Sequence, residues 1–282
     1  MMGVSADLIR RLARNKGAKI GSVTITLFVI LAVFGPYFTP YDPYEVDLRE
    51  SLTPPSMVHP LGTDMLGRDI LTRIVYGARI SLTIGLVVVG IALAFGVVLG
   101  TVAGYFGGVI DEAVMRIMDI MLSFPPILLA IAIISAIGPG LYNLMVAVGI
   151  ATIPVFARVA RGSVLSVKEN TYIDAARASG ESSFQIMFQH ILPNALAPIV
   201  VVATLRISSS ILTAASLSFL GLGIQPPTPD WGVMVSDGRG LLRMAPYVAT
   251  FPGLAIMFAV IGFNLFGEGL NDALNPRLKE KS

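Results

Sequence analysis

Six long apolar stretches constrain the fold of this chain more than any other feature of its sequence. A helix needs about 20 residues to cross the hydrocarbon core of a bilayer, and helices are the default because every backbone polar group must be hydrogen-bonded inside lipid. Only 13% of the residues are charged, against about a quarter in soluble domains. The sequence therefore predicts an all-α membrane protein with six transmembrane helices, at Ile20–Phe38, Ser81–Phe106, Asp119–Ile137, Leu141–Ala157, Ala197–Leu222 and Tyr247–Phe266.

Composition and missing motifs exclude several functions. The net charge of +2 gives no basis for binding nucleic acid, and a chain without cysteine has no disulfide or thiolate site. No Gly-x4-Gly-Lys-Ser/Thr sequence is present, so the chain is predicted to have no ATP site of its own. The motifs Gly-x-Ser-x-Gly and His-Glu-x-x-His are absent as well, which argues against a membrane protease. We therefore expect no enzyme, no catalytic residue and no cofactor in this chain.

The distribution of Lys and Arg predicts that both termini lie in the cytoplasm. With the N-terminus inside, the inner segments carry 13 of these residues and the outer segments carry 6. The long segment 158–196 then lies inside, and the segments 39–80 and 223–246 lie outside. The predicted division is an N-terminal part (1–76), a transmembrane core (77–270) and a cytoplasmic tail (271–282).

Prolines are expected to disturb two of the spans. The sequence Phe124-Pro125-Pro126 should kink the third span, and Pro154 interrupts the fourth, which is short. Outside the spans, Trp231 follows a proline-rich stretch, and we interpret it as an anchor at the outer membrane interface or as a substrate contact.

The inner segment contains the pattern of two short helices. Thr171 and Asp174 have the spacing of a capping box, Ala175 and Ala176 continue the helix, and Gly180 supplies a left-handed stop. A helix of this length is marginal in water, and its small alanine face suits insertion into a groove of another protein.

The second helix is predicted to begin with Ser182-x-x-Gln185 and to end at Pro193. Its apolar residues recur at helical spacing and form one stripe, which we expect to pack back on the spans. The residues of the stripe are Phe184, Met187, Phe188 and Ile191.

The sequence Asp174-Ala175-Ala176, followed by Gly180 and then by Leu192-Pro193, resembles the "EAA" loop of ABC importer permeases. Asp174 stands where the family usually has Glu, and His190 stands where the general pattern prefers Ile. Three further stretches are similar to the dipeptide and oligopeptide branch, so that the resemblance covers about residues 59–280. They are His59–Leu82 (HPLGTDMLGRDILTRIVYGARISL), Leu217–Leu242 (LSFLGLGIQPPTPDWGVMVSDGRGLL) and Phe263–Lys279 (FNLFGEGLNDALNPRLK).

The resemblance implies the type I ABC importer fold in a bacterial-type plasma (inner) membrane. It implies a second, homologous permease subunit, two ATPase subunits that bind ATP-Mg, and an extracytoplasmic substrate-binding protein. In that family the loop forms a coupling helix that docks on an ATPase subunit. The expected coupling residues are Thr171, Asp174, Ala175, Ala176, Arg177, Gly180, Leu192 and Pro193.

Arg206 is a charge near the middle of the fifth predicted span, where it costs about 2.5–3.5 kcal/mol on insertion scales. One interpretation is a contact with a peptide carboxylate in the substrate pathway. The other is a structural pair or a hydrogen bond to backbone carbonyls. The two histidines, His59 and His190, are predicted on opposite sides of the membrane, so no metal site is expected.

The sequence leaves three functions open. A permease for peptides is favoured, and the same type of permease for nickel or glutathione is the nearest alternative. An ion-coupled secondary carrier is disfavoured, because Asp119 is the single carboxylate within a predicted span and lies at its end, whereas such carriers place acidic relays or broken helices at the midplane.

Overall fold

A computed structural model describes residues 12–274, and within this range the regular secondary structure is helical. One of the long helices is continuous but includes a π-helical turn over Ile186–Ile191. The helices in chain order are α1 (Lys16–Phe38), α2 (Ile70–Phe106), α3 (Gly108–Leu122), α4 (Pro126–Ile137), α5 (Leu141–Lys168), α6 (Thr171–Ala178), α7 (Ser183–Phe219), α8 (Trp231–Gly238) and α9 (Tyr247–Leu274).

The predicted third span is broken into two helices. Five of the described helices are long and apolar enough to cross a membrane, and α3 and α4 make a sixth span if this pair, bent by 90°, is counted as one. Proline lacks the backbone N–H and also disfavours the helical conformation of the preceding residue. Pro125 and Pro126 therefore break the span where a kink was predicted. The all-α prediction is confirmed.

All five of the other spans are longer than predicted, and α2 and α5 illustrate the reasons. α2 begins at Ile70, eleven residues before the predicted Ser81, because the Asp69 side chain caps it by accepting a hydrogen bond from the Thr72 N–H at 2.7 Å. α5 continues through Pro154 as far as Lys168, so the prediction of a short fourth span ending at Ala157 is wrong. The added residues 158–168 form an amphipathic rather than an apolar stretch, so a search for apolar runs in the sequence does not detect them.

Glycines bring α2 and α5 into close contact. Gly96, Gly100 and Gly104 recur every fourth residue, and a Cβ at Gly96 or Gly100 would collide with backbone atoms of α5. Small residues at this spacing let two transmembrane helices approach closely. α1 meets α9 in the same way, where Gly21 lies against the backbone at Gly262.

The segments 39–69 and 220–246 pack together at one end of the bundle, and we call them the cap. The Tyr247 hydroxyl donates to the Leu52 carbonyl at 2.7 Å, and the Arg73 guanidinium donates to the Pro43 carbonyl at 2.7 Å. Within the cap, Arg68 forms an ion pair with Asp64 at 2.7 Å. α6 follows the C-terminal end of α5 directly, beginning three residues after Lys168.

Trp231 ties the cap to the spans. It is fully buried, its indole N–H donates to the Ile74 carbonyl at 3.0 Å, and its ring packs edge-on against Phe28. The prediction of an interfacial anchor is therefore wrong, because the ring enters the core of the bundle. Next to it, burial raises the pKa of Asp230 to about 6, although hydrogen bonds from Val233 and neighbouring groups oppose the shift.

Candidate functional site

The helix α6 is held by local contacts that differ from the predicted capping box. Its N-cap is Asn170, and Thr171 is the first helical residue. The Asn170 amide does not cap α6 but donates to the Val167 carbonyl at 2.8 Å, near the end of α5. Asp174 accepts from the exposed Arg177 side chain at 3.2 Å. The prediction that Thr171 and Asp174 form a capping box is therefore wrong.

Gly180 ends α6 as predicted. Its φ of +81° lies in the left-handed region that favours glycine. The Gly180 N–H donates to the Arg177 carbonyl at 3.0 Å, and the Glu181 N–H donates to the Ala176 carbonyl at 3.3 Å. These two bonds form a Schellman motif, which pairs carbonyls at the end of a helix. The turn at Gly180 thus sets the direction in which the chain leaves α6.

The predicted second helix has the expected start but not the expected end. Ser182 and Gln185 form a complete capping box. This helix is α7 itself, which continues past Pro193 as far as Phe219, so the prediction that Pro193 ends it is wrong. The π-helical turn immediately before the proline widens the helix where the ring would otherwise crowd the preceding turn. In addition, the Asn194 amide donates to the His190 carbonyl at 2.7 Å.

The π turn also splits the predicted apolar stripe. Met187 and Ile191 are buried, but Phe184 and Phe188 are exposed, with their ring centroids 4.5 Å apart. A π turn adds a residue to one turn of the helix and rotates the residues after it about the helix axis. The four residues therefore do not form one stripe, and the two phenylalanines lie off the face that Met187 and Ile191 bury.

One face of α6 is fixed to the spans. Ile173 is completely buried and Ala176 nearly so, and both join one apolar cluster. Ile173 was not predicted as a site residue, although it is an isolated large apolar residue in a polar segment. The other buried members of this cluster are Tyr105, Val164, Ile186, Met187 and Ile191.

Cationic side chains add to this attachment. The Lys168 ammonium donates to the Tyr105 carbonyl. The Arg177 guanidinium lies 5.9 Å from the centre of the Tyr105 ring, within the range of a cation–π contact. Motion of α6 would therefore act directly on the ends of α2 and α5.

The opposite face of α6 is uncovered. Thr171, Asp174 and Ala175 are exposed, and Tyr172 retains 42% of its accessible surface. Phe184, near the start of α7, is 67% exposed as well. Aromatic side chains are enriched at protein interfaces, so the uncovered face of α6 is a candidate interface. The two predicted coupling residues in α7 lie apart from this surface. Pro193 is exposed further along the chain, and Leu192 packs in a different apolar cluster.

Two ion pairs join α3 to α5 on the side where α6 lies. Arg161 bonds both carboxylate oxygens of Asp111 at 2.5 Å, and Arg158 bonds Asp119 at 2.6 Å. α3 has one buried residue, Met118, so these pairs form much of its attachment.

A second candidate site lies between three of the spans, around Arg206. A cavity of about 50 Å³ separates α4, α5 and α7 at this level. Its lining combines the guanidinium with hydroxyl groups and small apolar side chains, namely Pro126, Val148, Ala151, Thr152, Arg206, Ser209, Ser210 and Thr213. Among residues 12–274 no cluster of His, Asp and Glu could hold a metal ion.

Comparison with known protein families gives two matches. A family model described as binding-protein-dependent transport system inner membrane component matches residues 96–280, which is more than half of the chain. A model described as the N-terminal TM domain of oligopeptide transport permease C matches residues 5–55.

Curated relatives are similar over nearly the whole chain. The dipeptide transport system permease protein DppC of Alkalihalophilus pseudofirmus is 49% identical over 97% of this chain and 90% of the relative. The di/tripeptide transport system permease protein DppC of Pseudomonas aeruginosa is 46% identical over 95% and 90%. The glutathione transport system permease protein GsiD of Pectobacterium atrosepticum is 47% identical over 96% and 90%.

Solved structures share the fold at low sequence identity. A chain of the MetNI methionine ABC transporter, in an inward-facing conformation, superposes with a TM-score of 0.59 and 21% identity. The match covers 72% of this chain and 96% of that chain.

Proposed function

The chain belongs to the family of binding-protein-dependent transport system inner membrane components, and we propose that it imports di- or oligopeptides as a permease subunit of an ATP-driven transporter. The observation that carries the proposal is that α6 has one buried and one exposed face. Ile173 on the first packs against the spans, and Tyr172 on the second is accessible to a partner. The peptide substrate is supported by the relatives that are named for dipeptide and di/tripeptide transport.

In this proposal α6 docks in a groove of an ATPase subunit, and two such subunits bind ATP-Mg and hydrolyse it. Closure of the ATPase pair moves α6 and, through the apolar cluster around Ile173, the ends of α2 and α5. The residues that we assign to this coupling are Thr171, Asp174, Ala175, Ala176, Arg177, Gly180, Leu192 and Pro193. We assign the coupling role as a whole to the segment 158–196 and the solute path to the transmembrane core 77–270.

A second, homologous permease and an extracytoplasmic binding protein complete the assembly. The need for a second permease is supported by the broken span, whose α3 leaves Val109, Ile117 and Ile120 exposed and whose α4 leaves Leu128 exposed. A polar cavity at Arg206 alone does not form a path across the membrane. The pathway would then run between the two permeases, with Arg206 on its wall.

Glutathione is the second candidate substrate, since relatives 46–47% identical are named for glutathione transport. It is itself a tripeptide, so the same permease surface can serve either class. A nickel permease and an ion-coupled carrier have less support, because the described residues hold neither a metal cluster nor an acidic relay in the spans.

The test is uptake into proteoliposomes that contain the assembled transporter. We expect uptake of a labelled dipeptide to require ATP on the cytoplasmic side and to persist with an uncoupler present. Uptake abolished by the uncoupler would indicate a secondary carrier. Competition with glutathione and with nickel in the same assay distinguishes the substrates.

We also predict cytoplasmic termini, with the cap outside. Because the chain has no cysteine, single cysteines report sidedness directly. Cysteine at Met57, which is fully exposed in the cap, should react with an impermeant maleimide from outside. Cysteine at Ser182, which is exposed just after α6, should react only after the membrane has been permeabilised. Labelling of Ser182→Cys in intact cells would overturn both the topology and the coupling role of α6.

A further inference from the structure

We propose that the cavity around Arg206 is a subsite for a carboxylate group of the transported solute. This inference rests on the proposed import of peptides and names the part of the solute that this wall of the pathway recognises. The guanidinium of Arg206 would hold the carboxylate, with hydroxyl groups of α5 and α7 around it.

The charge of the cavity is the first observation. Arg206 makes no hydrogen bond or ion pair with any other described residue, and the lining of the cavity contains neither Asp nor Glu. A guanidinium carries five N–H donors and no acceptor. A permanent positive charge in a span is costly unless an opposite charge or a hydrogen-bond acceptor meets it. The group that this cavity lacks is therefore an anionic acceptor.

The hydroxyl groups around Arg206 are placed on one face. Arg206, Ser209, Ser210 and Thr213 follow the spacing i, i+3, i+4 and i+7, which brings them to the same side of α7. Thr152 adds a hydroxyl from α5, but it already donates to the Val148 carbonyl at 2.7 Å.

The free donors are the hydroxyls of Ser210 and Thr213. Neither makes a hydrogen bond with another residue in the part of the chain that the structure describes. Ser209 reaches the Leu205 carbonyl at 3.5 Å, the upper limit for a hydrogen bond. The hydroxyls can donate as well as accept, whereas the guanidinium only donates and is the one charged group of the lining, so the cavity suits a carboxylate and not an ammonium group.

The size of the cavity decides which part of a solute it accepts. A single water needs about 10–15 Å³ by the same kind of measure, and the cavity holds about 50 Å³. It therefore accommodates a carboxylate with little else, and not an entire dipeptide. Ser209 is exposed, so the cavity opens on the surface of the bundle and the rest of the solute would lie outside it.

The break in the third span places a helix start at the same point. α4 begins at Pro126, which lines the cavity, and no side chain caps this end. The N-terminus of a helix carries a partial positive charge, so it adds to the potential of Arg206. Broken transmembrane helices in transporters direct such ends at anionic groups of substrates.

The experiment measures ligand protection in the assembled transporter, with the partner permease free of cysteine. Cysteine is introduced at Ser209, and its rate of reaction with a maleimide is followed in the presence of Ala-Phe or of its C-terminal amide. A hydrogen bond to a charged group corresponds to roughly 10- to 100-fold in affinity. We expect Ala-Phe to slow the labelling at concentrations at least about tenfold lower than the amide.

Variants separate recognition from structure. Arg206→Gln should abolish the difference between the acid and the amide, and Arg206→Lys should retain part of it. The matched control is Thr204→Ala on the same helix, because Thr204 lies outside the lining and its hydroxyl donates to the Val200 carbonyl. This control should behave like the parent protein.

Equal protection by acid and amide, or a difference that survives Arg206→Gln, would overturn the subsite and leave Arg206 as a structural cation. Uptake of Ala-Phe, measured on the same proteoliposomes, tests the proposed function separately. Uptake without acid-specific protection would refute the subsite alone. Acid-specific protection without uptake would refute peptide import and support a carboxylate site for another solute.

Discussion

Replacing Gly180 with valine should nearly abolish uptake while the chain still inserts in the membrane. Gly180 has a φ of +81° and is the residue at which the Schellman motif turns the chain away from α6. A residue with a side chain pays about 1 kcal/mol or more in the left-handed conformation, and β-branching makes this worse. α6 has eight residues and little stability of its own, so a cost of this size at its end displaces the docking surface.

The cause of this effect would be conformational and not a collision. A Cβ on Gly180 would meet no atom within 4 Å. Gly180→Asn is therefore the matched control, since asparagine tolerates the left-handed region, and it should keep most of the activity. The measurements are co-purification of the ATPase subunits and hydrolysis stimulated by the binding protein. Normal assembly, stimulation and uptake in Gly180→Val would show that this turn does not serve coupling.

Substitutions at Asp174 provide the graded part of the series. The carboxylate accepts one exposed hydrogen bond from Arg177 three residues later, and such pairs stabilise a helix by about 0.2–0.5 kcal/mol. Asp174→Ala should therefore reduce uptake modestly, and Asp174→Glu should be tolerated. A loss as large as that of Gly180→Val would indicate that Asp174 contacts the ATPase directly.

The sequence predicts features of this loop that depend on a few neighbouring residues. The stop at Gly180 and the capping box of Ser182 with Gln185 are both present, because each arises from local backbone geometry. α6 begins at Thr171 as predicted, but the prediction of its capping box is wrong because the cap depends on the neighbouring helix. Asn170 stands at the N-cap, but its amide reaches the end of α5, and this choice depends on where α5 ends.

Other features could not be predicted from a local pattern of residue types. Pro193 ordinarily ends a helix, but the preceding π turn accommodates it within α7. Trp231 follows a proline-rich loop typical of a membrane surface, yet Phe28 and the Ile74 carbonyl provide a buried site for its ring and its N–H. The residues around Arg206 come from three helices, and their proximity depends on the break at Pro126.

Replacing Ile173 with alanine should uncouple ATP hydrolysis from uptake. Ile173 and Ala176 are the two buried residues of α6, and Ile173 is the larger. Removing a buried isoleucine side chain to alanine costs about 2–5 kcal/mol, which exceeds what a helix of eight residues can supply alone. The helix would then stay attached to the chain at both ends without transmitting its position to Tyr105 and Val164.

The neighbouring residue gives the contrasting result, because α6 has two faces. Tyr172 lies on the uncovered face, so Tyr172→Ala should weaken association with the ATPase subunits while the apolar cluster around Ile173 stays intact. Ile173→Ala should leave association measurable and raise the number of ATP molecules hydrolysed per solute imported. Ile173→Val removes one methylene, costs about 0.5–1.5 kcal/mol, and should remain largely coupled. If Ile173→Ala imports solute with the ATP stoichiometry of the parent protein, force reaches the spans by another contact, and the cation–π and hydrogen-bond contacts at Tyr105 would be the next to remove.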